Sequence, residues 1–304
     1  QQSLQEVNTY RLVDVISQDK LEMYRHRGIN GVVAPLPGES DTFVAALQLI
    51  KEYNQQQDKA VLLHAAGLLD SINYQLLLIN QRYLYLREKL PSRGWGLYLI
   101  DPQSSNTLLI EVPSPLEERG TLEAASQLFE VNQSYAMAIA NARRSANADG
   151  SADVLRNPLS FYHQFHRTFS RRDVLQVRGY TPERVRILAG LRRDQRQITL
   201  PEPESALWVH ASLPPSLDLV KLRNLLDDFR IDWNDSPFLN LQRETTQQGF
   251  AELILNQEDI RQLTARAFRE SQQLNIQVSS QRIDGHLQQW LLNSKGNLAE
   301  RGSN

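Results

Sequence analysis

Between Thr107 and Tyr180 three short apolar runs each stop at polar residues, with helical patterns between them. The first, Leu108-Leu109-Ile110-Glu111-Val112, stops at Pro113-Ser114-Pro115. The second, Tyr135 to Ala142, ends in Arg143-Arg144. The third, Val174-Leu175-Gln176-Val177, ends in Arg178-Gly179-Tyr180. Alternation of such runs with helices predicts an α/β fold, a mixed, largely parallel sheet flanked by helices. In sheets of this class ligands sit outside the strand ends. The residues expected to line that crevice are Ser114, Glu118, Arg143 and Arg178.

Around this stretch the pattern divides the chain into a mainly helical N-terminal part over 1–90, an α/β part over 91–275, and a C-terminal helix and disordered tail over 276–304. Tyr10–Ile16 fits either strand or helix. Ser40 or Asp41 caps a helix through Tyr53, because Phe43, Leu47 and Ile50 share one face. Residues 60–89 read as one helix or a helical hairpin broken near Gly67, with Tyr74, Tyr83 and Tyr85 as packing residues. The turn Pro91 to Gly94 is the expected boundary. Beyond it Trp95–Ile100 and Thr107–Val112 read as a hairpin. Then follow a helix over Pro158–Phe169, an apolar run at Val185–Ala189, strands at Ala206–Ala211 and Phe250–Leu255, and a helical segment near His286–Leu292.

With 304 residues, 41% apolar and 22% charged, the chain has the make-up of a soluble globular protein. A formal net charge of −2 gives no reason to expect nucleic acid as a partner. No apolar stretch reaches the roughly 20 residues that a membrane span needs. The absence of cysteine excludes disulfides, thiolate nucleophiles and cysteine-ligated metals. It also fits an oxidising compartment. The first residues, Gln1-Gln2-Ser3, are those of a processed form or a fragment, and the lack of cysteine leads to the expectation of a periplasmic or secreted location.

His163 and His166 lie three apart on a helix and can share one face, so with a third ligand they could hold zinc. Set among Phe161, Tyr162, Phe165 and Phe169, they read first as packed ring side chains. The other histidines, His26, His64, His210 and His286, stand alone. No nucleophile elbow and no phosphate loop is present. Glu117, Glu118, Asp153 and Glu252 carry no spacing that would pair them as glycosidase carboxylates. Arg143-Arg144, Arg171-Arg172 and Arg192-Arg193 are candidate anion cradles. Arg143 and Arg178 lead because both follow buried strands.

Ile110 to Leu116, Ala140 to Asn147, Asp153 to His166, Val174 to Tyr180 and, more loosely, Thr245 to Gly249 resemble in order the motifs of a bacterial family. That family has a zinc-carboxypeptidase or N-acetylmuramoyl-alanine-amidase-like (phosphorylase/hydrolase-like) fold. In its metal-binding members the first motif reads Val-Pro-His-Pro, with an acidic residue four positions after the His, and the strand motif reads Gln-Val-His-Gly. Here those positions hold Ser114, Glu118 and Arg178, and Arg143 stands at a further His. Glu252 matches the general base. The resemblance therefore implies a metal-free pseudoenzyme, without cofactor, that binds or scaffolds in the cell envelope or an exopolysaccharide system. Ser114, Glu118, Arg143, Arg144, Arg178 and His166 would form its ligand-binding set. Two roles stay open for the arginines. Arg178 either pairs with Glu118 to fill the vacated site, or joins Arg143 in binding an acidic peptide, an acidic glycan or another envelope protein. The alternative is a zinc-dependent amidase or peptidase that acts on peptide or peptidoglycan amides through Glu118 with His163 or His166.

Overall fold

The apolar runs are strands of one sheet: β1 (Gln5–Val7), β2 (Tyr74–Ile79), β3 (Tyr83–Glu88), β4 (Leu97–Ile100), β5 (Leu109–Val112), β6 (Ala136–Ile139), β7 (Val174–Gly179), β8 (Ala206–His210), β9 (Arg230–Asp232) and β10 (Phe250–Leu255). The helices are α1 (Leu12–Arg25), α2 (Pro37–Gln56), α3 (Lys59–Ser71), α4 (Thr121–Val131), α5 (Phe161–Phe169), α6 (Pro182–Leu188), α7 (Leu219–Leu225) and α8 (Leu241–Thr245). The computed structural model describes residues 4–25, 31–170, 172–234, 236–246, 248–270 and 272–273. Residues up to Thr264 belong to one compact unit. Of the second unit, from Ala265 onward, residues 265–270 and 272–273 are described and are helical. The expectations for Arg171, His26, His286 and the 276–304 tail lie outside the described residues.

Ten strands run in the order β1-β2-β3-β4-β6-β5-β7-β10-β8-β9. At the centre β6, β5, β7 and β10 are parallel. The steps β2-β3-β4-β6 are antiparallel, as is β10-β8. The fold is thus α/β, with a mixed, mostly parallel sheet. Both faces are covered, which is why the central strands are apolar on both sides. On one face Ile110, Val112, Leu175, Val177, Ala251 and Leu253 pack with Leu12 and Ile16 of α1, Leu122 and Phe129 of α4 and Leu222 of α7. On the other, Leu109, Ala136, Val174 and Phe250 pack with Phe43 and Ile50 of α2, Leu62 of α3 and Phe161, Phe165 and Phe169 of α5. Local chemistry sets the helix starts. Asp58 caps α3 by accepting from the Ala60 N–H at 2.9 Å, and Ser160 caps α5 by accepting from the His163 N–H at 3.0 Å.

Three expectations change. The helix proposed for 60–89 ends at Ser71, and the rest is the β2–β3 hairpin, turned by Asn80 and Gln81 at φ 53° and 54°. Tyr74 and Tyr85 are packing residues there, but on strands. Trp95–Ile100 and Thr107–Val112 do not form a hairpin, because β6 lies between β4 and β5. Val185–Ala189 falls largely in α6, started by Pro182 and capped by Thr181.

The turn at 91–94 joins rather than separates. The buried Glu88 carboxylate accepts from the N–H groups of Arg93, Gly94 and Trp95 at 2.9–3.1 Å, and from Ser92 Oγ at 2.9 Å. Asn141 Nδ2 donates to it from the end of β6 at 3.3 Å. The Arg93 guanidinium lies over the Trp95 ring at 3.4 Å and donates to the Ile72 carbonyl at 2.5 Å. One sheet therefore continues across residue 91, with β1, β2 and β3 contributed by the part expected to be mainly helical.

Candidate functional site

Three polar residues interrupt the apolar runs of the central strands, and the register sets them side by side. Glu111 of β5 faces Gln176 of β7, which faces Glu252 of β10. Side chains alternate along a strand. These three consequently lie on the same face as Leu109, Val174 and Phe250, one step nearer the strands' C-terminal ends. Arg178 lies one step further along β7, also on that face, and is fully buried. The face that is apolar under α5 turns polar where this class of sheet places its ligands.

Glu118 reaches the same layer from the loop after β5. Its N–H donates to the Ser114 carbonyl at 2.8 Å, a turn that buries both side chains. Arg178 Nε donates to Glu118 Oε1 and Oε2 at 3.2 and 3.1 Å, and Nη2 donates to Oε1 at 2.9 Å. On its other side Nη1 donates to Glu252 Oε1 at 3.2 Å. One guanidinium thus spans two carboxylates. Burial alone would lower the Arg178 pKa, but Glu118 and Glu252 outweigh it and raise the pKa, so the cation is permanent.

The layer continues away from Arg178. Asn240, which caps α8, donates to Glu252 at 3.2 Å and to Gln176 Oε1 at 2.7 Å. Gln176 Nε2 donates to Glu111 Oε1 at 3.2 Å, and Glu111 Oε2 lies 2.8 Å from His166 Nδ1. His166 Nε2 is 3.1 Å from Thr246 Oγ1. The His163 ring stacks on that of His166 with centroids 5.4 Å apart, and its Nδ1 lies 3.2 Å from Gln242 Nε2. Desolvation, then the neighbouring His166 and Arg167, lower the His163 pKa to about 4. Both histidines line a cavity of about 590 Å³ together with Arg167, Arg172, Thr245 and Thr246.

Of the residues expected from the sequence, Ser114, Glu118, Arg178, Glu252, His163 and His166 converge on this buried layer. Arg143 does not join it. After β6 the inward-turned side chain is that of Asn141, which accepts from the Gly96 N–H at 2.8 Å, and Arg143 is exposed. Arg144 is half-buried beside the layer, 3.7 Å from Asp153, and its N–H donates to Glu117 at 2.8 Å. The sequence reading missed Glu111, Gln176, Asn240, Gln242, Arg184 and Arg243. Glu111 and Gln176 carried a signal, since each is a lone polar residue inside an apolar strand.

The donor set does not fit a catalytic zinc. Glu118 is committed to Arg178, and His166 has a partner at each ring nitrogen. Among the described residues no three His, Asp or Glu side chains are gathered as metal ligands. Zinc needs three such protein ligands with one position open, and Arg178 places a fixed positive charge at the centre of the group. Among the described residues no helix is long and apolar enough to cross a membrane. No family model matches the chain, and no curated protein or solved structure matches it either.

Proposed function

We propose that this chain is a non-catalytic binding or scaffolding protein, a relative of zinc hydrolases of the carboxypeptidase and amidase kind whose crevice has been filled by an ion-pair layer. The observation that carries this reading is the Arg178 guanidinium, buried between Glu118 and Glu252 with every one of its hydrogen bonds going to those two carboxylates. Glu252 stands at the position that resembles the general base. It accepts from Arg178 and Asn240. A general base must reach the proton that it removes, and here Glu252 Oε1 is taken by internal donors. The cell envelope or an exopolysaccharide system, outside the cytoplasm, is the setting that the lack of cysteine and the resemblance together favour. Arg178 itself is not available to an acidic ligand, because its charge is already matched.

Metal analysis of the purified protein, before and after chelation, tests this reading alongside an assay for hydrolysis of peptide and peptidoglycan amides. Neither stoichiometric zinc nor turnover is expected. Zinc at one equivalent, lost on chelation together with amide hydrolysis, would overturn the proposal in favour of a zinc amidase in which Glu118 has left Arg178 for the metal.

A further inference from the structure

The cavity of about 590 Å³ beside α5 has a buried floor and an exposed rim. His163, His166 and Thr246 form the floor, and Arg167, Arg172 and Gln248 stand at the rim. Among the described residues no carboxylate lines it. Arg167 and Arg172 make no ion pair or hydrogen bond to a described residue, so two exposed positive charges border one opening without a counter-charge. A cation in the last turn of α5 also suits the helix dipole, but that dipole carries only about half a charge. Two guanidinium groups exceed it.

Gln242 sets the polarity of the floor. Its Oε1 accepts from Gln176 at 3.4 Å and its Nε2 donates to the Val154 carbonyl at 2.9 Å, so a second Nε2 hydrogen meets His163 Nδ1 at 3.2 Å. Nδ1 is therefore an acceptor. With its pKa lowered to about 4 the ring is neutral at pH 7, and its one hydrogen sits on Nε2. His163 is only 3% exposed, yet Nε2 has no partner among the described residues and is not shut off from solvent. A donor at the floor and two cations at the rim thus address the same space. We propose that this cavity binds the phosphoryl group of a phosphate monoester. One oxygen would accept from His163 Nε2, the guanidinium groups of Arg167 and Arg172 would take the others, and Pro158 and Leu241 would flank the group that carries it. Above pH 7 a monoester is close to dianionic, because its second pKa is about 6. It matches two uncompensated charges, whereas a carboxylate brings one charge and fewer acceptors. The inference names a ligand class for the binding protein proposed above and rests on that reading.

Calorimetric titration of the full chain with phenyl phosphate, benzoate and benzyl alcohol at about pH 7.5 tests the site. Phenyl phosphate is expected to bind about tenfold more tightly than benzoate, the worth of one further charged hydrogen bond. Benzyl alcohol should not bind. Arg167→Gln and Arg172→Gln should each weaken phenyl phosphate about tenfold without changing the melting temperature, since both positions are exposed. Arg193→Gln, at an exposed arginine outside the cavity, should leave the affinity unchanged. Vesicles of phosphatidic acid in phosphatidylcholine carry the same group on a lipid. Cosedimentation that is lost in Arg167→Gln assigns the group to a headgroup, and no cosedimentation assigns it to a soluble ester. No binding of phenyl phosphate, equal binding of benzoate or benzyl alcohol, or a loss in Arg193→Gln as large as that in Arg167→Gln would each sink the assignment. Zinc with amide hydrolysis in the metal assay would sink the non-catalytic reading while leaving these titrations interpretable. Failure of phenyl phosphate alone sinks only the site.

Discussion

Replacing Arg178 by Met should be among the more damaging single changes in the sheet, and the reason is what it leaves behind. The side chain fits the stem's volume, but Glu118 and Glu252 lose their shared cation while staying 2% exposed each. Removing one partner of a buried ion pair typically costs about 3–5 kcal/mol. Here two neighbours soften the loss: Arg184 Nη1 stands 3.4 Å from Glu118, and Arg243 Nη1 stands 3.9 Å from Glu252. The expectation is therefore the low end, about 3 kcal/mol, or a fall in melting temperature of roughly 6–12 °C for a unit of this size. Equilibrium urea denaturation at pH 7 measures it. The triple variant E118Q/R178M/E252Q should recover most of the stability, since replacing a whole buried ionic group by neutral side chains is often close to neutral. A loss below about 1 kcal/mol for Arg178→Met would refute the reasoning that this guanidinium neutralises the layer.

His163 ties stability to pH. Its folded pKa of about 4 lies below the unfolded value, so the unfolded chain takes up the proton first, and stability falls as the pH drops from about 6.5 towards 4. The full shift would correspond to about 3 kcal/mol, and because His163 borders an open cavity about 1–2 kcal/mol is expected. His163→Gln should flatten that part of the urea-midpoint profile; an unchanged slope would place its origin elsewhere. Gly249→Ala should cost about 2–4 kcal/mol in the same assay. The residue sits at φ 63°, and a Cβ there would fall 1.6 Å from the Arg172 carbonyl oxygen. A variant as stable as the parent would show that this turn can relax.

The central sheet was legible because strands buried on both faces leave short, unbroken apolar runs, as at Leu108–Val112 and Val174–Val177. The segment 74–88 was not. Its tyrosines and leucines satisfy helical spacing and strand alternation alike, and its turn uses Asn80 and Gln81 rather than a glycine pair. The join at Glu88 was hidden for a different reason: Pro91 to Gly94 has the composition of a linker, and only the folded chain brings Asn141 and the Arg93, Gly94 and Trp95 amides to one carboxylate. At the site, Glu118 and Arg178 were found by position relative to strand ends. The same rule misplaced Arg143, because the first residues after a strand point alternately in and out. Arg184 carried no signal at all. Its place beside Glu118, 3.4 Å away, is a fact of three dimensions.

The two outermost strands of the sheet, β1 and β9, are three residues each. A second chain that tried to add itself at either margin would find only a few free amide and carbonyl groups to grip. Arg230 and Asp232, one of each sign, stand at the β9 margin. So broad a sheet would otherwise be a template for fibre growth. By tapering at both ends it can stay separate from its own copies.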